Sequence, residues 1–221
     1  MHKIINNLTS IQSEIKIKIQ KLNIENYSPN IIAVSKTFSM KDILPLINHG
    51  HSHFGENKVQ EAIEKWTNIK NDFENIHLHM IGKLQTNKVK YVIPLFDYIH
   101  SLDNLKLAKK ISEEQKKKNK LMKLFIQVNI GDEKQKSGVL IEDLDDFYNE
   151  CTKDLGLNII GLMCLPPNDN MSSTYFSKIY KLADRFKLKE ISMGMSNDYL
   201  EAIKFKATYL RIGSKIFGER S

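Results

Sequence analysis

Four groups of residues have side chains and spacing that could do chemistry. Lys36 follows Ile31-Ile32-Ala33-Val34-Ser35. At the open end of a buried strand a lysine amine is partly desolvated, which favours the free base and equips it to capture a carbonyl as a Schiff base. The same residue also reads as a surface lysine whose stem lies on apolar surface while its ammonium reaches water. The second group is Ser192-Met193-Gly194-Met195-Ser196 with Asn197 and Asp198, and the third is Gly213-Ser214. Small residues in such loops let backbone N–H groups and a helix amino terminus approach a phosphate. They equally suit ordinary turns, with Ser196 as an N-cap. The fourth is Arg211, which alternation sets on the opposite face from Leu210 and Ile212. Inside a core its guanidinium needs either a carboxylate, such as Glu56, or an acceptor on a bound ligand.

Other constellations compete with these. His51 with His53, and His77 with His79, are HxH pairs that could ligate zinc, since on a strand both rings share one face. A metal site would need carboxylates and further histidines at other strand ends. The eighth strand offers Arg211 there, so core or surface histidines are expected and no metal. There is no HExxH, and residues 194–198 lack the final glycine of a GxSxG nucleophile elbow. Glu56 and Glu61 suit acid/base work or, equally, ion pairs on a helix.

Positioning these groups requires a regular frame, and the hydrophobic pattern supplies one. Short apolar runs rich in β-branched residues occur at 31–35, around His53 and Phe54, and at 76–81, 98–102, 123–130, 158–164, 190–193 and 209–212. Helical patterns lie between them, notably 40–48, 58–69, 105–118, 143–152 and 172–186, and an amphipathic helix over 4–22 precedes the first strand. Eight such units predict an α/β fold, a single (β/α)8 TIM-type barrel with an extra N-terminal helix, spanning 1–221 as one domain. An open doubly wound sheet is the alternative. Against it, Val34-Ser35-Lys36-Thr37 stands where a GxGxxG fingerprint would follow the first strand. In a barrel, polar residues at the carboxyl ends of strands are the ones to test for function, and Lys36, the 192–198 loop and Gly213-Ser214 all fall there.

The 221 residues carry a formal charge of +7, which by itself would suit nucleic acid or an acidic membrane. Its densest run, Lys116-Lys117-Lys118 with Lys120, closes a helical pattern where cations suit the macrodipole, and no aromatic residues interleave as a stacking platform would need. Neither a nucleic-acid nor a membrane partner is expected. No apolar stretch long enough to span a bilayer occurs, and the amino terminus lacks a leader pattern. Cys151 and Cys164 have no metal-ligand spacing and are expected to be reduced, so a cytoplasmic location follows.

Seven motifs in order then carry a resemblance. They are Ala33-Val34-Ser35-Lys36-Thr37; Phe54-Gly55-Glu56-Asn57 with Val59-Gln60-Glu61; His79-Met80-Ile81-Gly82 through Leu84-Gln85 and Asn87-Lys88; Lys136-Ser137-Gly138; Gly161-Leu162-Met163; Ser192 to Ser196 with Asp198; and Arg211-Ile212-Gly213 with Ile216-Phe217-Gly218. Over nearly its whole length the chain resembles the pyridoxal phosphate homeostasis protein family, whose fold is the alanine racemase amino-terminal barrel. The resemblance implies a pyridoxal 5'-phosphate (PLP) binding protein in vitamin B6 and amino-acid homeostasis, without turnover. By it, Lys36 carries the Schiff base, Asn57 and Met163 line the ring, Ser196 with the backbone of Gly213 and Ser214 holds the phosphate, and Arg211 faces the pyridine nitrogen. It further implies a monomer whose partners are PLP and PLP-dependent apoenzymes. A racemase-like enzyme is the alternative, although racemases of this fold add a carboxyl-terminal domain with a catalytic tyrosine and this chain ends with the barrel. Departures from the family pattern are Lys206 in place of glycine, Lys58 in place of an aromatic residue, and Phe38-Ser39 where relatives often have a further lysine.

Overall fold

In a computed structural model that describes residues 2–133 and 137–218, eight parallel strands close into a barrel in sequence order. They are β1 (Asn30–Val34), β2 (His53–Glu56), β3 (His77–Met80), β4 (Tyr98–Leu102), β5 (Lys123–Val128), β6 (Ile159–Cys164), β7 (Glu190–Ser192) and β8 (Tyr209–Ile212). Closure is made by β8 on β1, with Arg211 opposite Ile32 and Ile212 opposite Ala33. Outside lie α1 (Lys3–Lys21), α2 (Met40–Asn48), α3 (Val59–Trp66), α4 (Ile69–Asp72), α5 (Val89–Leu95), α6 (Leu105–Lys118), α7 (Leu144–Asn149), α8 (Ser172–Arg185), α9 (Tyr199–Ala202) and α10 (Ser214–Phe217). The (β/α)8 barrel with its additional N-terminal helix is therefore the fold of the chain. Lys136, part of one sequence motif, lies outside the described residues.

Strands buried on both faces explain the near-continuous apolar runs. Ile31, Ala33, Leu210 and Ile212 face outward into the shell shared with the helices. Ile32, Tyr98, Phe125, Met163 and Tyr209 face inward and pack together. Alternation along β8 thus puts Arg211 inside, as its sequence position implies. Helix α1 buries Ile4, Leu8, Ile11 and Ile15, spaced by one turn each, against α2 and α10. The Asn7 side-chain amide donates to the Ile216 carbonyl at 2.8 Å, which ties this helix to the segment after β8.

Several boundaries differ from the sequence pattern for local reasons. β5 ends at Val128 because the Asn129 N–H turns to the Val139 carbonyl at 2.9 Å, while its side chain bonds the backbone of Glu133. The helix expected over 58–69 breaks after Trp66, and the chain resumes as α4. Helix α5, which carries Pro94 in its last turn, was not distinguished in the sequence. The helix expected over 143–152 widens after Asn149 into a π-turn, Glu150–Asp154.

Lys206, the departure from glycine, adopts φ 54° at the end of a short 3-10 turn, with its N–H on the Ile203 carbonyl at 3.0 Å. The left-handed conformation costs a residue with a Cβ about 1–2 kcal/mol. Its exposed side chain accommodates the conformation without a clash, but does not remove that cost. Lys206→Gly is expected to raise the unfolding free energy in urea by about 0.5–1 kcal/mol, once glycine's greater unfolded-state entropy is subtracted. A loss of stability in that variant would show that the lysine side chain contributes more than the conformation costs.

Candidate functional site

At the carboxyl ends of the strands lies a cavity of about 790 Å³, whose wall includes Lys36, Asn57, Ser196, Arg211, Gly213 and Ser214. That volume lies within the ordinary range of ligand sites. Six of the seven residues singled out in the sequence therefore come together. Met163 does not reach the wall. It is fully buried in the inward layer with Ile32, Phe125 and Tyr209, opposite Ser192 of β7. Inward positions recur every two residues, so Leu165, one step closer to the mouth, occupies the wall instead.

Lys36 lies two residues beyond the end of β1, after Ser35, and is half-buried. The next residue, Thr37, has φ 68°, an outlier for a β-branched side chain. An ion network beneath the loop holds this conformation. The Thr37 N–H donates to the Glu61 carboxylate. The Lys65 ammonium donates to the carbonyls of Ser35 at 2.8 Å and Phe38 at 3.3 Å, and pairs with Glu61 at 2.8 Å and Glu56 at 2.6 Å. Glu56, fully buried, also accepts from the Ser35 hydroxyl at 2.8 Å and the Trp66 indole at 3.0 Å. Burial pushes the Glu56 carboxyl up, against the pull of Lys65. Glu61 is held below the ordinary range, because Lys65 and the Thr37 N–H outweigh its burial. One cation thus fixes the carbonyls on both sides of Lys36. Glu61 is the ion-paired helix residue of the two sequence readings, while Lys65 was missed, although its i,i+4 spacing from Glu61 was a signal.

The expected alternative of an Arg211–Glu56 ion pair is not formed, since Glu56 is committed to Lys65. Arg211, 4% exposed, donates from Nη1 to the Ser192 hydroxyl at 2.6 Å and from Nη2 to the Cys164 carbonyl at 2.8 Å. No carboxylate lies within ion-pairing distance of it among the described residues. Burial lowers its proton affinity, and Cys164 followed by Asp198 oppose this only through space. A buried cation met by neutral dipoles retains most of its charge for an anionic or strongly accepting ligand.

The two small-residue loops meet across the cavity. Gly194 has φ 88°, and a Cβ there would fall 2.7 Å from the Ala202 Cβ, so the turn after β7 requires glycine. The residue at the N-cap of α9 is Asp198, not Ser196, and its carboxylate accepts the Met195 N–H at 2.6 Å. Ser196 is displaced into the cavity wall, where its hydroxyl accepts the Lys215 backbone N–H at 3.4 Å and so joins the loop after β7 to that after β8. Asn57 also lines the cavity, and its Oδ1 is buried with no hydrogen-bond partner among the described residues. Gly82, missed in the sequence as a site residue, allows this packing, since a Cβ there would lie 2.3 Å from the Asn57 carbonyl oxygen.

The two HxH pairs differ in their surroundings. His51 lies ahead of β2 with Nε2 2.9 Å from the His53 carbonyl oxygen, whereas His53, His77 and His79 cluster, the first two with ring centroids 4.8 Å apart. No group of three histidine, cysteine or acidic side chains suited to a metal gathers among the described residues. Cys151 and Cys164 are buried and unbridged, and burial pushes both thiols up to about 12. No helix among the described residues is long and apolar enough to cross a membrane.

Comparison with known proteins agrees with this architecture. A family described as the alanine racemase N-terminal domain matches residues 7–221. The chain is 37% identical to the pyridoxal phosphate homeostasis protein of Aquifex aeolicus, over 86% of each chain. It is 34% identical to the protein of that name from Haemophilus influenzae, over 97% of this chain and 95% of the relative. A solved structure of PipY from Synechococcus elongatus, with PLP bound, superposes with a TM-score of 0.80 at 30% identity, covering 92% of this chain and all (100%) of PipY.

The half-buried His51 and His53 carry a consequence for acid stability. Burial, followed by neighbouring cations, lowers His53 to about 4, and burial lowers His51 to about 4, against an ordinary 6.5. Between those values the unfolded chain binds protons that the folded chain refuses, so folding stability rises with pH there. Urea midpoints are expected to fall as pH drops from 6.5 through about 4, and His51→Gln should flatten that fall. An unchanged slope in the variant would contradict this assignment.

Proposed function

We propose, from the premise that the chain belongs to the pyridoxal phosphate homeostasis protein family within the alanine racemase N-terminal domain group, that it holds PLP as a Schiff base on Lys36. The observation that carries the reading is the convergence of Lys36, the uncompensated Arg211 and the joined small-residue loops on one cavity. The residues present fit the cofactor. The orphaned Asn57 Oδ1 offers an acceptor or dipole on the wall, Ser196 with the backbone at Gly213 and Ser214 offers hydroxyl and amide donors for a phosphate, and Arg211 offers a buried cation.

When bound, PLP supplies an electrophilic aldehyde carbon that a free amine captures as an imine with release of water. The chain's own residues set the conditions. Lys65 and Glu61 fix the backbone on either side of Lys36, so its amine enters the cavity from a defined direction. Arg211 cannot readily surrender its proton, so it disfavours a protonated ring nitrogen beside it and keeps the ring a weak electron sink. That favours holding the cofactor over turning a substrate over. We accordingly assign the whole chain, as one monomeric cytoplasmic domain, to carrying PLP in vitamin B6 and amino-acid homeostasis, with PLP-dependent apoenzymes as its recipients.

The test is the near-visible spectrum of purified protein with added PLP, followed by borohydride reduction and peptide mapping. An imine band that maps to Lys36 and is lost in Lys36→Ala is expected. Ser196→Ala should retain the band while weakening PLP binding by about tenfold, the equivalent of one hydrogen bond to a charged group. Absence of any imine in the wild-type protein would overturn the reading, and Lys36-dependent conversion of L- to D-alanine would replace it with the racemase-like enzyme.

A further inference from the structure

The inward polar residues that the cofactor site does not use form one continuous chain. His53 Nδ1 lies 2.9 Å from His79 Nε2, His79 Nδ1 lies 2.9 Å from His100 Nε2, and His100 Nδ1 lies 2.8 Å from the Ser192 hydroxyl. Ser192 in turn accepts from Arg211 at 2.6 Å. The stagger of a closed barrel makes the chain climb. Gly55 is the register partner of His79, and Tyr98 is that of His79 on the next strand, so each imidazole meets one placed two residues further along its neighbour. From β4 the chain crosses the interior to β7 and then β8. Its lower end, His53, lines a separate cavity of about 490 Å³ between α1 and the amino-terminal mouth of the barrel.

The direction of every bond follows from one end. A guanidinium has donors only. The Ser192 oxygen therefore accepts from Arg211, and its O–H points to its other partner, His100 Nδ1. A neutral His100 then carries its proton on Nε2 and donates to His79 Nδ1. His79 likewise donates from Nε2 to His53 Nδ1, which leaves His53 with its proton on Nε2. The opposite polarity would leave the Ser192 O–H without an acceptor among the described residues. Neutrality is supported by the surroundings. Burial acts on all three rings, and the cations and imidazoles that face them oppose a further proton: His77, His51 and Lys123 around His53; His100, His53, His77 and Lys123 around His79; Arg211 and His53 around His100. Among the charged groups facing these rings, Asp97 acts in the other sense, on His53.

We propose that Arg211, through Ser192, fixes His100, His79 and His53 as Nε2–H tautomers, and that this relay of positioning residues holds the guanidinium in one orientation in the cofactor cavity. In that polarity every relay nitrogen facing the Arg211 end is an acceptor, and the His53 Nε2 at the lower cavity is already protonated. The relay consequently offers no acceptor to a proton arriving from the amino-terminal mouth and hands none upward to the floor of the cofactor site. The part of the proposal that concerns the cofactor rests on the PLP reading. The tautomer part does not.

The test separates the two. Long-range ¹H–¹⁵N correlation spectra of the full chain labelled at histidine, without cofactor, are expected to show His53, His79 and His100 as neutral Nε2–H forms. In Ser192→Ala the loss of one hydroxyl at the top should mix the tautomers as far as His53 on the other side of the barrel, an effect that local packing would not produce. His100→Phe, which keeps a ring stacked on Phe125, should release His79 and His53 in the same way. An Nδ1–H form at any of the three in the wild type, or unchanged tautomers in both variants, overturns the relay. In cofactor-loaded protein, Ser192→Ala should alter the ratio of the imine absorption bands, and an identical spectrum would overturn the coupling to the site. Failure of the wild type to form an imine would instead count against the PLP reading, with the tautomer result standing by itself.

Discussion

Arg211 carries a full charge into the interior of the barrel and meets a hydroxyl and a carbonyl there, with no carboxylate among the described residues within ion-pairing distance to neutralise it. Leaving such a cation buried is costly by several kcal/mol unless its donors are satisfied and an acceptor is brought to it. Much of the surrounding structure can be read as a response to that constraint. Ser192 and the imidazoles below it supply an ordered set of dipoles on the floor, and the cavity above admits a ligand able to take up the remaining charge. The inward layer is accordingly mixed, with histidines stacked on Tyr98 and Phe125 where purely aliphatic packing would otherwise fill a barrel of this size.

A second electrostatic device lies beside the first and uses opposite logic. Under the loop that carries Lys36, the charges are paired, Lys65 with Glu56 and Glu61; Lys65 and Glu61 bond the loop's backbone, and Glu56 holds the side chains of Ser35 and Trp66. This arrangement sustains the unfavourable backbone at Thr37 and leaves the neighbouring lysine in the cavity wall. One network is neutralised and rigid while the other retains charge. In the proposed reading, the division separates the lysine that would anchor the cofactor from the arginine that would face its ring.

Most of the frame was legible in the chain because parallel barrel strands are buried on both faces and announce themselves as β-branched runs. Both boundaries of β4 and β8 follow directly from their sequence patterns. Helix α5 escaped notice because it is short and carries Pro94. Among the site residues, those at strand ends were accessible from position alone, since the fold dictates which end of a strand bears function. Met163 was displaced from the wall by the two-residue alternation that brings Leu165 there. His100 and Ser192 act on each other from 92 positions apart, and only the barrel brings them together; the pairing of Lys65 with Glu61 was signalled by their i,i+4 spacing. The inward alternation of His53 on β2 and His79 on β3 was a usable sign of a polar interior, but their link to β7 was not.

The central claim, that the cavity at the carboxyl ends of the strands is a PLP site anchored by Lys36, is tested most directly by a crystal structure of the full chain grown with the cofactor. Density continuous with Lys36 Nζ is the result this account predicts, with the phosphate against Ser196, Gly213 and Ser214 and the ring nitrogen turned toward Arg211. Cofactor bound at another lysine, or an ordered cavity in which Lys36 carries nothing under saturating PLP, would contradict it.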